Sequence, residues 1–66
     1  MEIEATVIER LPNLLFKVET QAGAVYLCYL SGKMKINKIS VTIGDVVRVT
    51  LDPLGGKATN RITRRL

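Results

Sequence analysis

These 66 residues contain no histidine and no tryptophan, one cysteine, two prolines and only three aromatic side chains. Without histidine, Ser-His and Cys-His nucleophiles are excluded, and with Cys28 alone a His/Cys metal site is all but excluded. A single thiol forms no internal disulfide and fits a reducing compartment. Cys28 itself reads as a small buried hydrophobe. No run approaches the roughly 18 apolar residues of a membrane span, and the acidic opening Met1-Glu2-Ile3-Glu4 is unlike a signal peptide. The expectation is a cytoplasmic protein with no membrane partner, an organelle such as the plastid stroma being the variant. Six carboxylates are present, but Glu2, Glu4, Glu9 and Glu19 fall at solvent-facing strand positions and form no converging acid/base pair. We therefore expect neither an enzyme nor a cofactor.

The charge is unevenly divided. Residues 1–30 carry two basic and four acidic side chains, a net −2, whereas residues 31–66 carry eight and two, a net +6. A basic half of this kind suits a polyanion, with nucleic acid first. An anionic membrane surface would require an amphipathic helix with aromatic anchors, and none is visible.

A chain of this length makes one domain, 1–66, with a thin core. Ile3, Ala5 and Val7 alternate with Glu2, Glu4 and Thr6, the period of a half-buried strand. Leu11-Pro12-Asn13 breaks the run as a hairpin connection. Leu14, Phe16 and Val18 then form the inward set of a second strand. Gln21-Ala22-Gly23 is a turn, and Val25 to Leu30 is apolar throughout, a third strand with Tyr26, Cys28 and Leu30 turned in. Val47, Val49 and Leu51 mark a fourth strand after the Gly44-Asp45 turn. Asp52 to Lys57 is a loop by composition, and Ala58 to Arg65 is a fifth strand with Ile62 inward. By simple alternation Arg61, Thr63 and Arg65 face the other way, and Arg64 shares the side of Ile62.

Between the third and fourth strands lies Ser31-Gly32-Lys33-Met34-Lys35-Ile36-Asn37-Lys38-Ile39. Ser31 is an N-cap type of residue. The spacing predicts a short helical plug over 34–39, pinned by Met34, Ile36 and Ile39, with its lysines in solvent. Five short strands must hide their edges, and closure into a barrel does so. An all-β, five-stranded oligonucleotide-binding (OB) barrel has this strand order and this plug. An SH3-like barrel, with the plug elsewhere, is the alternative.

Leu11-Pro12-Asn13-x-x-Phe16-x-Val18-Glu19, Ser31-Gly32-Lys33-Met34-Lys35-x-Asn37-x-Ile39, Gly44-Asp45-x-Val47-x-Val49 and Arg61-Ile62-x-Arg64 closely resemble bacterial-type translation initiation factor 1. The likeness runs from Ile3 to Arg65, and its specific part is the Ser-Gly-Lys-Met segment. It implies an OB barrel of the S1 subtype that binds the small ribosomal subunit at the decoding A site. The implied contacts are 16S-type rRNA and ribosomal protein S12, and the implied co-workers are initiation factors 2 and 3. The chain departs from that pattern at Tyr29 (commonly histidine), Ser40 (often arginine), Asn60 (usually glycine) and in a shorter segment before the first strand.

Single-strand RNA binders stack bases on several aromatic platforms. Here alternation places only Tyr29 clearly outside, which fits recognition of folded RNA by shape and phosphate contact better. The expected interface is in two parts: Lys33, Lys35 and Lys38 on the plug, with Ser31, Gly32 and Asn37 of the same segment, and Arg61, Arg64 and Arg65 on the last strand, extended by Lys17 and Tyr29. The protein is expected to be a monomer. Two other readings stand beside this one, an S1 or cold-shock-type RNA chaperone and an SH3-like protein-interaction module.

Overall fold

A computed structural model describes residues 2–51 and 60–66. The elements in chain order are β1 (Glu2–Leu11), β2 (Leu15–Glu19), β3 (Val25–Leu30), α1 (Gly32–Ile36), β4 (Val46–Thr50) and β5 (Asn60–Arg65). The strands close into a barrel in the order β1-β2-β3-β5-β4, as expected of the OB architecture. The loop read at 52–57 and the first residues of the last strand, 58 and 59, lie outside the described residues.

Every neighbouring pair is antiparallel except β3–β5, which is parallel with Cys28, Tyr29 and Leu30 opposite Asn60, Arg61 and Ile62. The long β1 serves two partners: Glu2–Thr6 pair with β4, and Thr6–Leu11 with β2. Alternating inward residues fill the interior as the sequence pattern predicts. The core is Ala5, Val7, Phe16, Val18, Cys28, Leu30, Met34, Val41, Val47, Val49 and Ile62. Tyr26 and Leu51 pack at its margin.

Two bulges interrupt the alternation. In β1 the pairing steps from Val7↔Val18 to Glu9↔Lys17, leaving Ile8 as the extra residue. In β5 it steps from Arg48↔Arg64 to Val49↔Ile62, so Thr63 is extra. An inserted residue inverts the facing of everything beyond it. Arg64 therefore does not share the side of Ile62: it stands opposite Arg48 on the outer surface. Arg65, opposite the buried Val47, lies over the barrel rim.

Leu14 departs from the strand expectation. It belongs to the β1–β2 hairpin loop, exposed, with φ of 60° beside Asn13 at 64°. A bulky L-residue is uncommon in that region, and only its apolar character made it resemble a strand position.

The plug also differs from its sequence reading. It starts earlier, because Ser31 is its N-cap: the Ser31 Oγ accepts from the Met34 amide at 3.3 Å. Of the three apolar residues expected to pin it, only Met34 is buried, at 1 % exposure, while Ile36 is 81 % and Ile39 37 % exposed. Five helical residues make less than two turns, and positions 34 and 36 lie about 200° apart, so one helix face holds one of them. The C-terminus ends in a left-handed cap. Lys38, with φ of 56°, donates its amide to the Lys35 carbonyl at 3.2 Å, and the Ile39 amide reaches back to the Met34 carbonyl at 3.0 Å. This is the Schellman arrangement, in which glycine usually occupies the position held here by Lys38.

Candidate nucleic-acid interface

Because β3 and β5 run parallel, Leu30 and Arg65 finish at the same end of the barrel. That end also holds α1, the 37–45 segment and the β1–β2 hairpin. Hydrogen bonds, these three among them, tie it together. The Ser31 amide donates to the Ile62 carbonyl at 3.0 Å. The Arg65 Nη1 donates to the Ser40 carbonyl at 3.1 Å. The Asp45 Oδ2 accepts from the Thr42 amide at 2.9 Å, shaping the turn that leads into β4.

The connectivity sorts charge along the barrel axis. Among the described residues, Arg10, Lys33, Lys35, Lys38, Arg64 and Arg65 belong to the plug end and are all exposed. Their acidic neighbours there are Glu9 and Asp45. At the opposite end Glu2 and Glu19 flank the end of β4 and the β2–β3 turn, and the basic residue described nearest to them is Arg61, which stands opposite Thr50 at the end of β4. The plug lysines and the Arg64 and Arg65 of β5 are thus brought to one end, through the parallel pairing that the strand pattern did not reveal, whereas Arg61 begins β5 opposite Thr50 at the end of β4.

The expected site residues do not all stand alike. Lys33, Lys35 and Lys38 project from the plug, and Arg64 from the outer surface of β5. Arg61 lies beside Tyr29, which in turn lies beside Leu15, so the three form one row across β5, β3 and β2. Tyr29 is half-buried in that row, with one side open. Lys17 is held apart, its Nζ 3.5 Å from Glu9 Oε1. Arg65 commits one guanidinium nitrogen to Ser40. Ser31 is buried and its hydroxyl accepts the bond of the helix cap, so it positions the plug. Gly32 is exposed, and Asn37 caps the helix C-terminus with its amide bonded to the Lys33 carbonyl at 3.0 Å. Asn60, where glycine is usual, donates its Nδ2 to the Leu27 carbonyl at 3.4 Å and so joins β5 to β3.

Sequence reasoning passed over Arg10 and Arg48. Arg48 Nη2 lies 3.4 Å from Glu4 Oε2, an exposed pair that offsets the like charges of Arg48 and Arg64 standing opposite each other. A shallow groove of about 250 Å³, lined by Glu4, Ala5, Thr6, Glu19, Gln21 and Val46, carries the wrong sign for a phosphate ligand. Cys28 is fully buried, and burial pushes its thiol up to about 12, which makes it inert at neutral pH. No helix among the described residues is long and apolar enough to cross a membrane.

The family described as Translation initiation factor 1A / IF-1 matches residues 1–66. The chain belongs to that family. Membership implies a role in translation initiation and the small ribosomal subunit as partner. The solution structure of translation initiation factor 1 from the Wolbachia endosymbiont strain TRS of Brugia malayi is similar at 36% identity and a TM-score of 0.81, covering 100% of this chain and 77% of that one. The crystal structure of YjeQ from Thermotoga maritima is similar at 27% identity and a TM-score of 0.80 over 100% of this chain. This chain spans only 23% of YjeQ, so that likeness concerns one barrel within a longer protein.

Proposed function

We propose that this initiation factor, acting as a single OB domain in the cytoplasm, sets its plug end on rRNA at the decoding A site of the small subunit. There it blocks premature tRNA binding and assists initiation factors 2 and 3, with ribosomal protein S12 at the margin of the contact. One observation carries the reading: the parallel β3–β5 pair gathers Lys33, Lys35, Lys38 and Arg64, all exposed, at one end of the barrel. A phosphate-rich surface attracts that end. Tyr29 and Arg61 extend the contact up the outer sheet, where a half-open ring and a guanidinium can hold a base or a ribose.

The chemistry is binding alone. Shape and phosphate contact select folded RNA. Any base drawn out of its stack costs a few kcal/mol, which its new interactions with the protein must offset. Co-sedimentation with purified small subunits tests the reading. Affinity should fall with salt by about 0.7–0.9 log units per log unit of salt for each phosphate neutralised. Binding that ignores salt refutes it. Equal affinity for unstructured oligonucleotides would instead favour an RNA chaperone.

A further inference from the structure

Side chains step by about 100° along a helix. With Met34 turned into the barrel, Lys33 and Lys35 project to either side of α1, and Ile36 points almost directly away from the core. Gly32, one turn earlier, shares that outward direction, and a Cβ there would meet nothing within 4 Å. The crest of the plug is therefore an isoleucine at 81 % exposure, bare backbone beside it, and a lysine on each flank.

Single exposed apolar residues are ordinary on protein surfaces. This one stands at the centre of the basic plug, where a further cation would add phosphate attraction, and no acidic residue occurs between Glu19 and Asp45. The charge around the crest suits a polyanion, and the apolar parts of folded RNA are its base faces and ribose edges, open where loops and bulges unstack. Aliphatic side chains of this size serve as wedges against unstacked bases in other nucleic-acid binders. We infer that Ile36 seats on the face of an unstacked RNA base or its ribose, while Lys33 and Lys35 straddle it on the adjoining phosphates. The inference rests on the reading of the plug end as an rRNA-binding surface. It divides the affinity into a salt-dependent part from the lysines and a salt-independent part from Ile36.

The test compares wild type, Ile36→Ala and Ile36→Lys by titration onto purified small subunits at low and high salt, with thermal melts alongside. Ile36→Ala should weaken binding by about three- to tenfold at both salt concentrations, with the salt slope and the melting temperature unchanged. Ile36→Lys, despite its added charge, should bind no better than Ile36→Ala. If Ile36→Lys binds as tightly as wild type or more so, the crest reads phosphates only and the inference falls. An Ile36→benzoylphenylalanine variant, irradiated on the subunit, should cross-link to rRNA, and capture of a ribosomal protein instead overturns RNA as the occupant. Wild type failing to bind small subunits would show in the same titration, and would refute the underlying reading together with the inference.

Discussion

Replacing Lys38 by glycine should make the protein more stable and a poorer ligand. Lys38 sits at the left-handed position that ends α1, with φ of 56°. An L-residue there costs about 1–2 kcal/mol against a right-handed conformation. Glycine avoids that penalty but gives back about 0.5–1 kcal/mol in unfolded-chain entropy. The net expectation for Lys38→Gly is a gain of roughly 0.5–1 kcal/mol, since both cap bonds, from the amides of Lys38 and Ile39, are made by backbone and survive. At about 4–8 °C per kcal/mol for a domain of this size, the melting temperature should rise by several degrees. Binding to the small subunit should weaken and its salt slope become shallower by about 0.7–0.9, as one phosphate partner is lost. Lys38→Ala separates the two effects, because it keeps the backbone strain and removes the charge. It should bind as poorly as Lys38→Gly while melting close to wild type. A Lys38→Gly protein that melts lower, or binds as tightly as wild type, refutes the view that a strained cation is retained there for its ligand.

The remaining predictions concern what holds the barrel and what tunes its charge. Met34→Ala removes the buried residue that anchors the plug and should cost about 2–4 kcal/mol, a fall of at least about 10 °C in a thermal melt. A shift below about 4 °C would mean that the plug is not part of the core. Cys28 has its thiol pushed from 9.0 to about 12 by burial, so the folded form keeps its proton where the unfolded form releases it. Its contribution is intact below pH 9 and lost from there to about 12, at roughly 1.4 kcal/mol per pH unit. Urea melts of wild type against Cys28→Ala across that window should converge as pH rises, and parallel curves would contradict the assignment. Glu4→Gln frees Arg48 beside Arg64: stability should change by no more than about 0.5 kcal/mol, and low-salt affinity for small subunits should rise if that outer surface faces RNA. An unchanged affinity removes Arg48 and Arg64 from the interface.

Much of the barrel was legible because alternation reports burial directly. Val7, Phe16, Val18, Cys28, Leu30, Val47, Val49 and Ile62 all turn in as their spacing predicts. The small Cys28 settled the facing of an all-apolar strand correctly. The two bulges were not legible: a single extra residue leaves no mark in composition, yet Thr63 reverses the facing of Arg64. The plug shows a different limit. Apolar character names three candidates for burial, but a helix of five residues has room for one, and geometry alone picks Met34 over Ile36. Ser31 was correctly read as a cap, and its bond to the Met34 amide fixes the start of the plug. The basic segments were visible as charge. Their meeting at one end depends on the parallel β3–β5 pairing, which no local pattern encodes.

That pairing also sets the order in which the protein can be made. β5 enters between β3 and β4 and bonds to both, so the ladder edges of those two strands stay open until its six residues arrive. A nascent chain interrupted before Asn60 would display two sticky edges at once. Completion of the barrel is consequently a late, all-or-none event, governed by strands far apart along the chain.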